Sequence, residues 1–202
     1  MSVLYKTIAK RADVEQVIEK SRFIAHIISV SSKEEADAFV AGIKKEYKDA
    51  THNVPAYVIG DKMQIQWGSD DGEPQGTSGA PIVQMLVSEG LTNVCVVVTR
   101  YFGGIKLGTG GLVRAYTSSA KLAIEDAGIL EVRDYKEFEL DLPYNQLSKL
   151  QNAEKDMPFI IESIEYLESL KIKLKFESEF EDAVSDFLTD FTKGNFKKIP
   201  NK

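Results

Sequence analysis

The sequence contains few of the residues that usually perform chemistry, and it has no excess of basic charge. It has one cysteine and two histidines in 202 residues, and 31 acidic against 25 basic side chains give a net charge of -6. A lone cysteine excludes an internal disulfide, and the apolar neighbours of Cys95 favour a small buried side chain. The acidic balance excludes a protein that coats nucleic acid or membrane by bulk attraction.

Long apolar runs are also absent. None approaches the roughly 18 residues that a membrane-spanning helix needs, and the first residues, MSVLYKTIAKR, lack the apolar centre of a secretory signal. We therefore expect a cytoplasmic protein that has no membrane partner.

Hydrophobic periodicity predicts strands and helices over the first two thirds of the chain. Residues 23–30, which include His26, are typical of a buried strand. Ser32 and Glu35 form a capping box that predicts a helix ending near Lys48. The other predicted elements are a hairpin of residues 55–59 and 63–67, a short helix that Gly90 closes, a strand over 93–99 and a helix over 112–127.

A second pattern begins after Arg133. Its predicted elements follow in the order β-α-β-β-α-β, which is typical of a ferredoxin-like domain. We therefore predict an α+β protein of two two-layer α/β domains, residues 1–134 and 135–202. In the second domain Lys171, Lys173 and Lys175 alternate along a strand and form either a docking row for a protein partner or a solvated face.

The stretch RYFGGIKLGTGGLVRAY, residues 100–116, joins a predicted strand to a predicted helix and combines glycines with cations. They are Gly103, Gly104, Gly108, Gly110 and Gly111, with Arg100, Lys106 and Arg114. A helix start offers unpaired N–H groups and partial positive charge, so this pattern favours a bound phosphate or carboxylate. The spacing is neither that of a P-loop nor that of a dinucleotide fingerprint. In the alternative interpretation the glycines only allow a tight crossover, and Arg114 pairs with a carboxylate.

The polar loop SDDGEPQGTSGAP, residues 69–81, places Asp70, Asp71 and Glu73 close together. Three carboxylates could hold a divalent cation, or one could act as a general base. The same residue types are also common in turns and at helix caps. A third possibility is that these carboxylates hold Arg100 or Arg114 in place. Because no spaced metal motif is present, we predict neither a metal site nor a cofactor.

His52 and Asn53 precede a predicted strand, where a loop histidine could donate to a phosphate or move a proton. A turn role is the alternative. No serine or cysteine nucleophile with a visible activating base accompanies them, so the sequence favours binding over catalysis.

Three motifs in order resemble the YigZ/IMPACT family of translation-linked proteins: THNVPAY at 51–57, SDDGEPQGTSGAP at 69–81 and VVVTRYFGGIKLGTGGLVRAY at 96–116. The resemblance covers residues 21–127. It implies a first domain similar to the α/β unit shared by a small-ribosomal-subunit protein, ribonuclease PH and elongation factor G. It implies a second domain similar to a ferredoxin-like domain of elongation factor G. It also implies that the three polar segments form one site.

The residues and the resemblance together lead to one functional expectation. We expect a translation-associated regulatory protein that binds RNA or the ribosome and whose glycine-rich loop binds an anion. The alternatives are a metal-assisted phosphoester hydrolase and a protein-interaction module that docks through the second domain.

Overall fold

The computed structural model describes residues 3–200, which form two compact units. One unit spans Leu4–Val132, and the other comprises Val3 and the described residues from Arg133 onward. Each unit contains its own cluster of buried apolar side chains. Among the described residues, no helix is both long and apolar enough to cross a bilayer.

Five antiparallel strands form the main sheet of the first unit. They are β2 (Ala12–Ile18), β3 (Ser21–Ser29), β4 (His52–Ile59), β5 (Ile65–Gly68) and β6 (Val94–Tyr101). Their order across the sheet is β2-β3-β6-β4-β5. Two further strands, β1 (Val3–Ile8) and β7 (Ile129–Arg133), pair in a small separate sheet.

Three helices cover this sheet: α1 (Lys33–Glu46), α2 (Gly79–Ser88) and α3 (Gly108–Ala127). Because strand side chains alternate between faces, Val94, Val96 and Val98 join the core beneath α2 and α3. Cys95 lies on the other face, in a smaller cluster with α1. The expected two-layer unit therefore gains a third layer where α1 lies. Burial raises the pKa of the Cys95 thiol to about 12, and this free cysteine is a core residue as predicted.

The strongly periodic segments form the predicted elements, and two differences have physical causes. The sequence analysis missed β2, an edge strand whose inward face is interrupted by Gln16, and that amide donates to Ser118 and Ser119 of α3. It also missed β1 and β7. Helix α3 begins at Gly108 instead of residue 112, because the weak helix propensity of glycine hid its first turn.

The second unit is the ferredoxin-like domain that the element order predicted. Its elements are β8 (Tyr135–Leu142), α4 (Leu147–Ala153), β9 (Ile160–Tyr166), β10 (Leu170–Glu177), α5 (Glu181–Thr192) and β11 (Phe196–Ile199). The sheet order is β11-β8-β10-β9, and all neighbours are antiparallel. The two helices follow β8 and β10, as in the β-α-β-β-α-β pattern.

The lysine row of the second unit lies opposite a row of carboxylates. In the register of β10 and β8 the directly facing pairs are Lys171 with Asp141, Lys173 with Glu139 and Lys175 with Glu137. Opposite charges at directly facing positions stabilise a sheet modestly. Each lysine of the row therefore faces a carboxylate on the neighbouring strand. The row is not an excess of positive charge, so it no longer favours a docking surface for a protein partner.

The turn between β2 and β3 carries backbone strain. Glu19 and Lys20 both have positive φ, 45° and 63°, the conformation of a two-residue hairpin turn that favours glycine at its second position. We expect Lys20→Gly to stabilise the first unit by roughly 0.5–1 kcal/mol. Urea unfolding followed by the fluorescence of Trp67, the only tryptophan and a residue of this unit, measures the change.

The matched control is Lys45→Gly, because Lys45 is an exposed lysine inside α1. It should destabilise by up to about 1 kcal/mol, the cost of glycine inside a helix, since Lys45 lies in the last turn of α1. If both substitutions destabilise by the same amount, the turn is not strained.

Candidate functional site

The ends of β4 and β6 bring a histidine and an arginine side by side. His52 and Arg100 are direct partners in the strand register, on the face that carries α2 and α3. Glu73 lies between them: its Oε1 accepts from Arg100 Nη1 at 2.6 Å, and its Oε2 is 3.7 Å from His52 Nε2. Tyr116 of α3 donates to the same Oε1 at 2.7 Å. Two strands, one helix and the acidic loop therefore meet at one buried carboxylate.

Arg100 is held almost entirely by the protein itself. Its side chain is 5% exposed, Nη2 donates to Ser21 Oγ at 3.3 Å, and the guanidinium carbon lies 5.3 Å from the ring centre of Phe23 and 5.4 Å from that of Phe102. Only its Nε–H lacks a partner among the described residues. The sequence analysis grouped Arg100 with the anion-binding cations, whereas the structure neutralises it with Glu73. The sequence analysis also offered the alternative that a carboxylate of the acidic loop holds Arg100 in place, and the pair of Glu73 and Arg100 fits that alternative.

Tyr116 is fixed as a hydrogen-bond donor. Burial raises the pKa of its phenol, and the bond to the Glu73 carboxylate raises it further. The ring also meets Phe23 edge-on, with 5.4 Å between the ring centres. Tyr116 lies within the helix predicted over residues 112–127, but nothing in the pattern indicated its partner.

Asp70 caps α2. Its carboxylate accepts from Ser78 N at 3.0 Å, Gly79 N at 2.9 Å, Ser78 Oγ at 2.7 Å and Gly76 N at 2.7 Å. Two of these bonds satisfy the amides of Ser78 and Gly79 at the helix start. Burial raises the pKa of Asp70, but the hydrogen bonds outweigh it and hold the pKa below its usual value.

Asp71 binds a different set of partners. Its Oδ2 accepts from Asn53 N at 2.7 Å, and its Oδ1 accepts from Lys44 Nζ at 2.5 Å. The three acidic side chains of the loop thus bind separate partners. Across residues 3–200, no group of three or more His, Cys, Asp or Glu side chains is placed to hold a metal ion.

The two neighbours His52 and Asn53 serve opposite faces of the sheet. His52 Nδ1 lies 2.8 Å from the carbonyl oxygen of Asp71, so this nitrogen is the donor and Nε2 faces Glu73. Asn53 is 7% exposed, donates from Nδ2 to the Tyr47 carbonyl at 3.0 Å and accepts from Thr99 Oγ1 at 2.7 Å. The structure therefore removes the Asn53 side chain from the predicted ligand-binding set.

Gly103 packs against the β2–β3 turn. A Cβ there would lie 1.9 Å from the carbonyl oxygen of Lys20, and its amide donates to Ser21 Oγ at 3.2 Å. This position permits only glycine, as in the crossover interpretation. Gly104 has a φ of +89°, and nothing lies within 4 Å of a Cβ built there.

The first turn of α3 differs from the rest of the stretch, because its cations are not neutralised. Gly108, Gly110 and Gly111 belong to this turn, and no side chain of the described residues caps it. Lys106 and Arg114 are exposed, and the side chain of neither forms a hydrogen bond or ion pair with another residue in 3–200. Arg114 Nη1 lies 3.6 Å from where a Cβ of Gly110 would stand. A guanidinium without an internal partner therefore lies beside the first turn of α3.

A cavity of about 400 Å³ opens beside this turn. Phe102, Leu107 and Leu112 line it together with Gly108 and Thr109. The sequence analysis did not single out Phe102, although an aromatic residue inside a glycine-rich polar stretch was the available signal. The anion-binding part of the predicted site is thus reduced to the start of α3 and its two free cations.

Replacing the α2 cap tests the assignment of Asp70. We expect Asp70→Ala to lower the free energy of unfolding by about 1–2 kcal/mol at neutral pH. Since the folded pKa is depressed, this stability is present above the usual pKa of about 3.9 and is lost as the pH falls through the folded value. The difference in free energy of unfolding between Asp70→Ala and wild type should therefore become smaller in acid. Urea unfolding at several pH values measures this difference.

The control for this pH profile is Glu125→Ala, since Glu125 is an exposed carboxylate of the same unit. It should change stability by less than about 0.5 kcal/mol at any pH. If Asp70→Ala lowers the free energy of unfolding by the same amount down to strong acid, the ionised carboxylate of Asp70 is not what stabilises the start of α2.

Comparison with known proteins gives the same division of the chain into two parts. Residues 19–124 match the Impact N-terminal domain, and residues 140–195 match a domain of unknown function (DUF1949). IMPACT family member YvyE of Bacillus subtilis is 41% identical over 94% of this chain and 88% of its own length. For YigZ of Escherichia coli the identity is 33% over 92% of each protein.

A solved structure supports the same relationship. It is described as the crystal structure of a hypothetical protein, and it aligns with 98% of this chain and 97% of its own at 32% identity and a TM-score of 0.62. The sequence motifs, the two matched domains and the shared fold agree, and the chain belongs to the IMPACT family.

Proposed function

We propose that this protein binds RNA in the setting of translation and that the start of α3 is its phosphate contact. One observation carries the proposal: an uncapped, glycine-lined first turn with two cations that have no internal partner. The translational and cytoplasmic setting is the one that the family resemblance implies. A role in translational regulation, with the ribosome as the larger partner, belongs to the same proposal.

The chemistry of the turn suits a phosphate. Free amides at a helix start donate to an anion, and the helix adds about half a unit of positive charge. Gly108, Gly110 and Gly111 present no Cβ that would keep a phosphate away from the main chain. Arg114 and Lys106 then supply charge-assisted bonds. In most helices a side chain satisfies such amides, as Asp70 does for α2.

The overall charge of -6 requires the contact to be local. The net negative charge of the protein repels RNA, so binding depends on a few direct contacts to phosphate. Such contacts weaken as the salt concentration rises. No observation favours the hydrolase alternative, because Asp70, Asp71 and Glu73 each hold a structural partner. The compensated lysine row likewise does not favour docking of a protein by charge.

Removing one free cation tests the proposal. We expect Arg114→Ala to weaken binding of a short labelled single-stranded RNA several-fold. The slope of log K against log salt should fall by about 0.7 for the lost phosphate contact. Fluorescence anisotropy between about 50 and 200 mM salt measures both quantities.

The control is Lys45→Ala, because Lys45 is an exposed lysine of α1, on the other face of the sheet. It should leave the affinity and the slope unchanged. If Arg114→Ala also changes neither, the start of α3 is not the phosphate contact.

A further inference from the structure

The cavity beside the start of α3 has an apolar wall and a polar end. Pro74, Phe102, Leu107 and Leu112 form most of the wall, whereas the first turn of α3 contributes Gly108 and Thr109 at the end. A volume of about 400 Å³ lies within the usual range of small-molecule sites. The cavity thus places an apolar surface directly next to the proposed phosphate contact.

Phe102 is the most unusual part of this wall. It is 46% exposed, although a phenylalanine gains about 1.5–3 kcal/mol when it is fully buried. The ring is nevertheless supported from within, because the Arg100 guanidinium lies over it and also over the buried ring of Phe23. Since Glu73 and Ser21 fix that guanidinium, the Phe102 ring packs against a group that cannot move freely. An exposed aromatic face that is held rigidly loses little entropy when a flat ligand stacks on it.

We infer that this cavity receives one unstacked RNA base against Phe102 while the adjoining phosphate lies at the start of α3. The inference rests on the proposed function and names its ligand: single-stranded RNA. In a duplex the bases are paired and stacked on one another, so none is free to enter the cavity. Stacking on an aromatic side chain is sequence-tolerant, so the site reads an exposed base and not a particular sequence.

The test uses the full chain and anisotropy with three labelled probes of equal length: single-stranded RNA, the same strand in a duplex, and a strand with abasic sites. Wild type should prefer the single strand over both other probes. Phe102→Leu, which keeps an apolar side chain but cannot stack, should lose on the order of ten-fold in affinity for the single strand. It should leave the salt slope and the affinity for the abasic strand unchanged, since no phosphate contact is removed.

Two further variants separate stacking from loss of folding. Phe102→Tyr keeps an aromatic face and should bind as wild type does. Trp67→Leu removes a comparably exposed aromatic, 43% exposed on β5, and should also bind normally. Thermal unfolding of each variant shows whether the fold is retained.

The outcomes distinguish this inference from the proposed function. If Arg114→Ala weakens binding but Phe102→Leu does not, or if wild type binds the abasic strand or the duplex as tightly as the single strand, the base site is overturned and the phosphate contact stands. If wild type binds none of the three probes, both are overturned.

Discussion

The buried ion pair of Glu73 and Arg100 sets the arrangement of the whole site. Taking two charges out of water costs several kcal/mol, and further hydrogen bonds to both partners offset part of that cost. Glu73 Oε1 accepts from Arg100 and from Tyr116, and Arg100 also donates to Ser21. The pair therefore fixes the acidic loop, the end of β6 and the helix α3 relative to one another. Removing either member would leave a charge buried without its partner.

The glycine-rich stretch contains residues of two classes, those tied to this pair and its surroundings and those that are not. Arg100 and Gly103 are committed to the fold, one through Glu73 and the other through its contact with Lys20. The side chains of Lys106 and Arg114 remain exposed to solvent and have no partner within the described residues. Residues of the same type, a few positions apart, thus differ in role, and the two free cations are the ones that we propose for the phosphate contact.

Much of the fold was predictable, because strong hydrophobic periodicity specifies elements such as β6, β10 and α5. The roles of individual polar residues were not, since a partner distant in the sequence decides them. Glu73 and Arg100 are 27 residues apart and meet only in the folded chain. His52 and Asn53 were grouped because the predicted strand began at residue 55. Once β4 starts at His52, the alternation of strand side chains places the two residues on opposite faces.

The facing charges of β8 and β10 have a consequence for how the second unit finds its alignment. A slip of two residues would set Lys171 against Glu139 and Lys173 against Glu137 but would leave Lys175 facing Tyr135, so the charges favour the observed alignment by only one pair of three. Phe138 and Phe176 add an interior contact to the observed alignment, with ring centres 4.7 Å apart and an interplanar angle of 70°. The choice of alignment thus combines an aromatic contact on one face of the sheet with a weak electrostatic preference on the other.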